Sequence, residues 1–180
     1  MQARWALLLG RDARKAMYYN DYYETPGARE LCHAVKEEPD PVLRQAAIEE
    51  MASYFASLGI LDEDSYLVPA PQHCGYAEYM LDIAQLVSEM TGAHVLDIVA
   101  CEPHEPLHSR KLAGTFSVDA IQCWLTDDYP EEGVLFFLDN MMSSGITYES
   151  VAALFDRPIY PLVYAVVFTS VENPTILDWN

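Results

Sequence analysis

Val134-Leu135-Phe136-Phe137-Leu138-Asp139-Asn140-Met141-Met142-Ser143-Ser144-Gly145-Ile146-Thr147 is the stretch on which the reading of the fold turns. Val134–Leu138 is a short apolar run ending in an acidic residue and an amide. Such a run, bounded by turn residues, suits a strand buried on both faces of a parallel sheet. Small hydroxyl residues and a glycine follow, and Tyr148 to Phe155 then has helical spacing. Strand, hydroxyl/glycine loop and helix together place unpaired first-turn N–H groups and side-chain hydroxyls at a helix N-terminus. That arrangement favours anions, because the amides lack partners and the helix dipole is positive at that end.

Upstream and downstream the pattern repeats. Tyr66-Leu67-Val68-Pro69-Ala70-Pro71 predicts a short strand stopped by Pro-x-Pro, since proline cannot donate to a ladder. Gln72–Tyr76 is then a loop, and Ala77–Thr91 a helix with Tyr79, Met80, Ile83, Ala84, Leu86, Val87 and Met90 as its apolar positions. Val95–Ala100 predicts the next strand, and Leu162–Thr169 a final one. Strands alternating with helices imply right-handed crossovers and an open, mostly parallel α/β sheet flanked by helices. A ligand then belongs at the C-terminal strand ends.

The first sixty residues read differently. Trp5–Leu9 is an apolar run, and Met17–Glu24 is an aromatic segment suited to an edge strand or an ordered loop. Ala28, Leu31, Cys32 and Val35 repeat at helical spacing after Thr25-Pro26-Gly27. Glu38-Pro39-Asp40-Pro41 interrupts the chain, and Val42–Leu58 predicts a second helix with Val42, Leu43, Ala46, Ala47, Met51, Tyr54, Phe55 and Leu58 on one face. The division is an N-terminal helical and aromatic segment, 1–60, packed on an α/β core, 61–180, within one compact domain.

The formal net charge is −18, and it is unevenly placed. Residues 1–44 balance seven basic against seven acidic side chains, so Arg110, Lys111 and Arg157 face the whole excess alone. Such a surface repels a polyanion and argues against nucleic-acid binding, but a nest of amides still accepts a small phosphate at close range. No apolar run is long enough to span a membrane, and Met1-Gln2-Ala3-Arg4 opens no signal-peptide pattern, so a cytoplasmic location is expected. Cys32, Cys74, Cys101 and Cys123 form no C-x-x-C pair and read as free thiols.

The central stretch resembles the signature of type I phosphoribosyltransferases: a hydrophobic strand, two acidic residues, two variable ones, and a Thr/Ser-Thr/Ser-Gly-x-Thr loop. Here it reads Asp139-Asn140, Met141-Met142 and Ser143-Ser144-Gly145-Ile146-Thr147. Val68-Pro69-Ala70-Pro71 before Gly75-Tyr76-Ala77 resembles the ComF-like branch, as does the helix from Thr25 to Lys36.

The resemblance implies a phosphoribosyltransferase-like fold in which residues 1–60 form the variable hood over the acceptor. It also implies a small-molecule phosphate ligand, phosphoribosyl pyrophosphate (PRPP) or a nucleotide, with Mg²⁺ carried in on PRPP. Asp139 and Asn140 would hold the ribose hydroxyls, with Asp139 supporting the metal indirectly, and Ser143, Ser144, Gly145, Ile146 and Thr147 would wrap the 5′-phosphate. Gln72, His73, Cys74 and Gly75 would form the pyrophosphate loop, and Arg110-Lys111 the flexible loop over the leaving group. Asn140 departs from the acidic pair, and Cys74 stands where a basic residue is usual. Ser143 and Ile146 replace the Asp and Lys of members acting on 6-oxopurines, so hypoxanthine–guanine salvage is not expected. Two readings stay open: phosphoribosyl transfer to an unidentified base with release of pyrophosphate, and a non-catalytic sensor or interaction module. A homodimer or a protein partner is compatible with both.

Overall fold

The computed structural model describes residues 4–7, 16–105 and 121–167. Through them the chain runs β1 (Arg4–Leu7), β2 (Ala16–Asp21), α1 (Ala28–Glu37), α2 (Pro41–Ala56), β3 (Ser65–Pro69), α3 (Tyr79–Thr91), β4 (His94–Val95), β5 (Val99–Cys101), β6 (Cys123–Leu125), β7 (Val134–Met142), α4 (Ile146–Ala152) and β8 (Ile159–Val166). One sheet has the order β1-β2-β8-β7-β3-β4. Its neighbours pair in parallel except β1, which lies antiparallel on β2. The α/β class, with an open and mostly parallel sheet flanked by helices, matches the sequence reading.

β7 lies inside the sheet because both of its edges are paired. Ser65–Pro69 run beside Val134–Leu138, and Leu135–Leu138 run beside Ile159–Leu162. Leu135, Phe137 and Leu138 are fully buried, each contributing about 1.5–3 kcal/mol by removal from water. α1, α2 and α3 cover one face, where Val35, Met51, Phe55, Met80 and Ile83 pack on Leu138, Leu162 and Tyr164. Tyr148 and Val151 of α4 cover the other face, against Leu135, Phe137 and Val163. The aromatic segment enters the same sheet: β2 pairs with β8, and Asn20 Nδ2 donates to the Tyr164 carbonyl at 3.0 Å. Residues before 61 thus supply one parallel strand and two helices to the layers around β7.

Several elements differ from their sequence expectation. The strand expected over 95–100 is split. Leu96 N–H still donates to Leu67 O at 2.8 Å, but Val99–Cys101 pairs antiparallel with Cys123–Leu125 in a separate two-stranded sheet. Exposed Asp97 sits at the break, where a continuous buried strand would have had to desolvate its carboxylate. The central strand runs on through Met142, because β8 continues to pair with Met141 and Met142 after β3 has ended at Pro69. The last strand is Ile159–Val166, and Thr169 lies outside the described residues. In α2, Asp40 Oδ1 caps the helix by accepting from Val42 N–H at 2.8 Å, and Pro41 opens its first turn. That turn projects beyond the core, so Val42 and Leu43 are exposed and Ile48 and Ala52 join the buried face instead.

The approach to β7 is a tight turn. Gly133 has φ +83°, and a Cβ there would lie 2.6 Å from the Asp64 carbonyl oxygen and 2.5 Å from the Tyr66 ring. Arg157 fixes the same turn by donating to the carbonyls of Glu131, Glu132 and Gly133 at 2.8–3.1 Å. Gly133→Ala is expected to cost about 3 kcal/mol, combining left-handed backbone strain with a clash against main chain. Gly59→Ala, at φ +67° with nothing within 4 Å, should cost only about 1 kcal/mol. Urea unfolding of both variants checks this, and equal losses would show that close packing at Gly133 is unimportant.

Candidate functional site

Two loops leave the C-terminal ends of adjacent parallel strands and part company. The loop after β3 leads to α3 on one face, while the loop after β7 leads to α4 on the other. Strand order therefore reverses direction between β3 and β7, and a crevice opens at such a point in open α/β sheets. The two stretches marked by the sequence, 72–75 and 143–147, leave the sheet at that point.

Asp139 lies on β7, paired with Val163, and is 9% exposed. Its carboxylate accepts from the backbone N–H of Asn140, Oδ1 at 2.8 Å, and of Met141. Burial nevertheless dominates, raising its pKa from the ordinary 3.8 to about 7; the two amides and Lys36 of α1 pull the other way. A buried carboxyl that titrates near neutrality is a recurrent property of functional sites.

Asn140 has a different part. Its Nδ2 donates to the Cys32 carbonyl in α1 at 3.2 Å, and its Oδ1 accepts from the Tyr79 hydroxyl in α3 at 3.2 Å. Cys32 Sγ donates to the Asn140 carbonyl at 3.3 Å. Asn140 therefore braces β7 against two helices, where the sequence reading had it as a free ribose ligand. This also explains the departure from an acidic pair: a carboxylate could not donate to the Cys32 carbonyl, and it would put a second negative charge beside Asp139.

The 72–75 loop is closed on itself. Gly75 N–H donates to Gln72 O at 2.8 Å, Gln72 N–H to Tyr76 O at 2.7 Å, and Cys101 N–H to Gly75 O at 3.0 Å. Gly75 has φ +106°, and a Cβ would meet Cys101 O at 2.9 Å. Its glycine thus serves the approach of β5, and its amide is already committed rather than free for pyrophosphate. His73 is half-buried and accepts at its carbonyl from His104 N–H at 2.9 Å. Cys74 Sγ donates to Tyr76 O at 3.6 Å, and its pKa is raised, first by burial.

The loop after β7 contrasts with it. Ser143, Ser144 and Thr147 are half-buried, and among the described residues their hydroxyls have no hydrogen-bond partner. Gly145 takes φ +77° at the start of α4, and its carbonyl accepts from Glu149 N–H at 2.9 Å. Ile146 turns inward onto Cys101 and Ile121 and anchors the loop. Arg110 and Lys111 lie outside the described residues.

No protein-family model, curated protein or solved structure matches this chain.

Cys32, Glu78 and Tyr79 adjoin these loops and β7 yet carry no motif. Tyr79 reads from the sequence only as an apolar helix position, although its hydroxyl reaches both Asn140 and Gln72, the latter at 3.0 Å. Glu78 holds φ +43° just before α3, a conformation costly for a side chain with a Cβ. Glu-Tyr at a predicted helix start was the available signal, and it is weak.

Asp139 makes stability depend on pH. The folded protein keeps a proton that the unfolded chain releases near pH 3.8. Its stability is thus fully present below that value and falls as pH rises to about 7, by roughly 4 kcal/mol for this group. Asp139→Asn should remove that fall, leaving the variant at least about 2 kcal/mol more stable than the parent at pH 8 but not at pH 4. Urea unfolding at both values checks it, and parallel pH slopes would refute it.

Proposed function

We propose that this protein binds a phosphorylated ribose, with PRPP as the prime candidate, in the manner of a type I phosphoribosyltransferase of the ComF-like kind. The observation that carries the reading is the contrast between the two loops. The amides of Gln72 and Gly75 are bonded within their own turn, whereas among the described residues the hydroxyls of Ser143, Ser144 and Thr147, at the C-terminal end of the inner strand, meet no partner. Half-buried hydroxyls without partners are a cost unless a ligand or water meets them.

In this reading Ser143, Ser144 and Thr147 donate to the 5′-phosphate together with the amides that open α4. Asp139, once ionised, accepts from a ribose hydroxyl. Among the described residues no three His, Cys, Asp or Glu side chains are grouped to hold a metal ion. Mg²⁺ brought in on PRPP would supply charge neutralisation for the leaving group, with Asp139 supporting it indirectly. Transfer to a base would release that pyrophosphate. A second reading, binding without transfer, is favoured by Asn140, whose amide is occupied by α1 and α3, and by the committed amide of Gly75.

Calorimetry with PRPP and Mg²⁺ tests the binding. Ser143→Ala and Thr147→Ala should each weaken it about tenfold while leaving stability unchanged, since each loses a charge-assisted hydrogen bond worth about 1.5 kcal/mol and no internal contact. Unaltered affinity in both would remove the loop from the site. Binding should also expel a proton near pH 7, because a hydroxyl donating to Asp139 favours its ionised form, so the measured heat should vary with the buffer's ionisation enthalpy. Pyrophosphate release across a panel of bases separates the two readings: turnover selects transfer, and tight binding without it selects the sensor.

A further inference from the structure

Cys101 and Cys123 face each other across the small sheet of β5 and β6. The ladder fixes how closely. Glu102 N–H donates to Gln122 O at 3.0 Å and Thr126 N–H to Ile98 O at 2.8 Å, so pairs 102–122 and 98–126 are hydrogen-bonded and the ladder alternates between them. Cys101 opposite Cys123 is consequently a non-hydrogen-bonded pair, the kind in which the Cα atoms approach to about 4.5 Å and the side chains lie closest. That separation is within the range a disulfide spans, about 4.4–6.8 Å. Both are free thiols.

We propose that Cys101 and Cys123 are a reversible dithiol–disulfide pair, oxidised by a peroxide, placed between the loops that follow β3 and β7. Cys101 is the attacking sulfur. Cys123 S–H donates to it and His104 lies beside it, so its pKa is lowered, while Cys123 is pushed up by the same contact. The Cys101 thiolate attacks one peroxide oxygen, the O–O bond breaks, and hydroxide leaves and is protonated to water. Cys123 sulfur then displaces hydroxide from the Cys101 sulfenic acid, closing the S–S bond and giving a second water once its proton is transferred. Two thiols are oxidised and one peroxide is reduced. A small oxidant suits the site, because Cys101 is only 2% exposed.

The position gives this chemistry consequences. Cys101 Sγ donates to Gln72 O at 3.5 Å, a bond the disulfide removes, and Cys101 packs on Ile146 at the head of α4. The other thiols lack this setting: Cys32 is buried in the core, its pKa pushed up to about 12, and Cys74 has no facing sulfur in the ladder. Among the described residues no third ligand completes a metal site with the pair.

The proposal does not depend on the ligand reading, and its test uses no ligand. The reduced protein is titrated with hydrogen peroxide, quenched with N-ethylmaleimide in denaturant, digested and mapped by mass spectrometry. A linked Cys101–Cys123 peptide, lighter by two hydrogens than its thiol halves and separated again by dithiothreitol, is the expected product, with Cys32 and Cys74 carrying maleimide. Cys123→Ser should abolish the link and drive Cys101 to a sulfinic acid that dithiothreitol leaves untouched. The parent protein's map decides alone should that variant not fold. A link through Cys74, or maleimide on both Cys101 and Cys123 after Cys74 has been oxidised, would overturn the proposal.

Discussion

Parallel pairing of one strand on both sides governs this molecule. β7 is held by β3 and β8, and its buried Leu135, Phe137 and Leu138 leave no alternative register, since a slip by one residue would exchange the two faces. Once β7 is fixed between strands that connect in opposite directions, the loops at 72–75 and 143–147 must end side by side. In open α/β sheets that end is where ligands bind, so the topology marks it before any particular side chain is considered.

The polar groups beneath those loops divide the labour. Asn140 is structural: its amide is shared between α1 and α3, and it ties the strand to both helices. Asp139, one residue earlier, holds a carboxyl in a place that disfavours its charge, with two backbone amides as its compensation. Neighbours in sequence thus differ in role because one side chain has found protein partners and the other has been left with little beyond its own main chain. A cation or a hydroxyl donor arriving there would meet a group that gains by ionising.

Much of the fold was legible from apolar spacing. Ala28, Leu31, Cys32 and Val35 mark the buried stripe of α1, and the strands at 66–69, 134–138 and 162–166 appear as unbroken apolar runs. Legibility failed where partners distant in sequence decide the outcome. Val99-Ala100 looks like the end of a sheet strand until Cys123–Leu125, which has no strong pattern of its own, draws Val99–Cys101 into a second sheet. Met141 and Met142 read as variable loop residues because their pairing with Ala165 and Val166 is invisible locally. At the site, the hydroxyl/glycine loop announced itself by composition, whereas the occupation of Asn140 by Cys32 and Tyr79 depends on helix packing that no spacing encodes.

Gly75 has one further consequence. Its missing side chain lets the first loop press against Cys101, and the hydrogen bonds around it turn that side into a stiff wall. The opposite side is lined by hydroxyls that can still rotate. On the phosphate-binding proposal, a ligand lying between the two loops would meet a fixed outline on one flank and adjustable hydroxyls on the other.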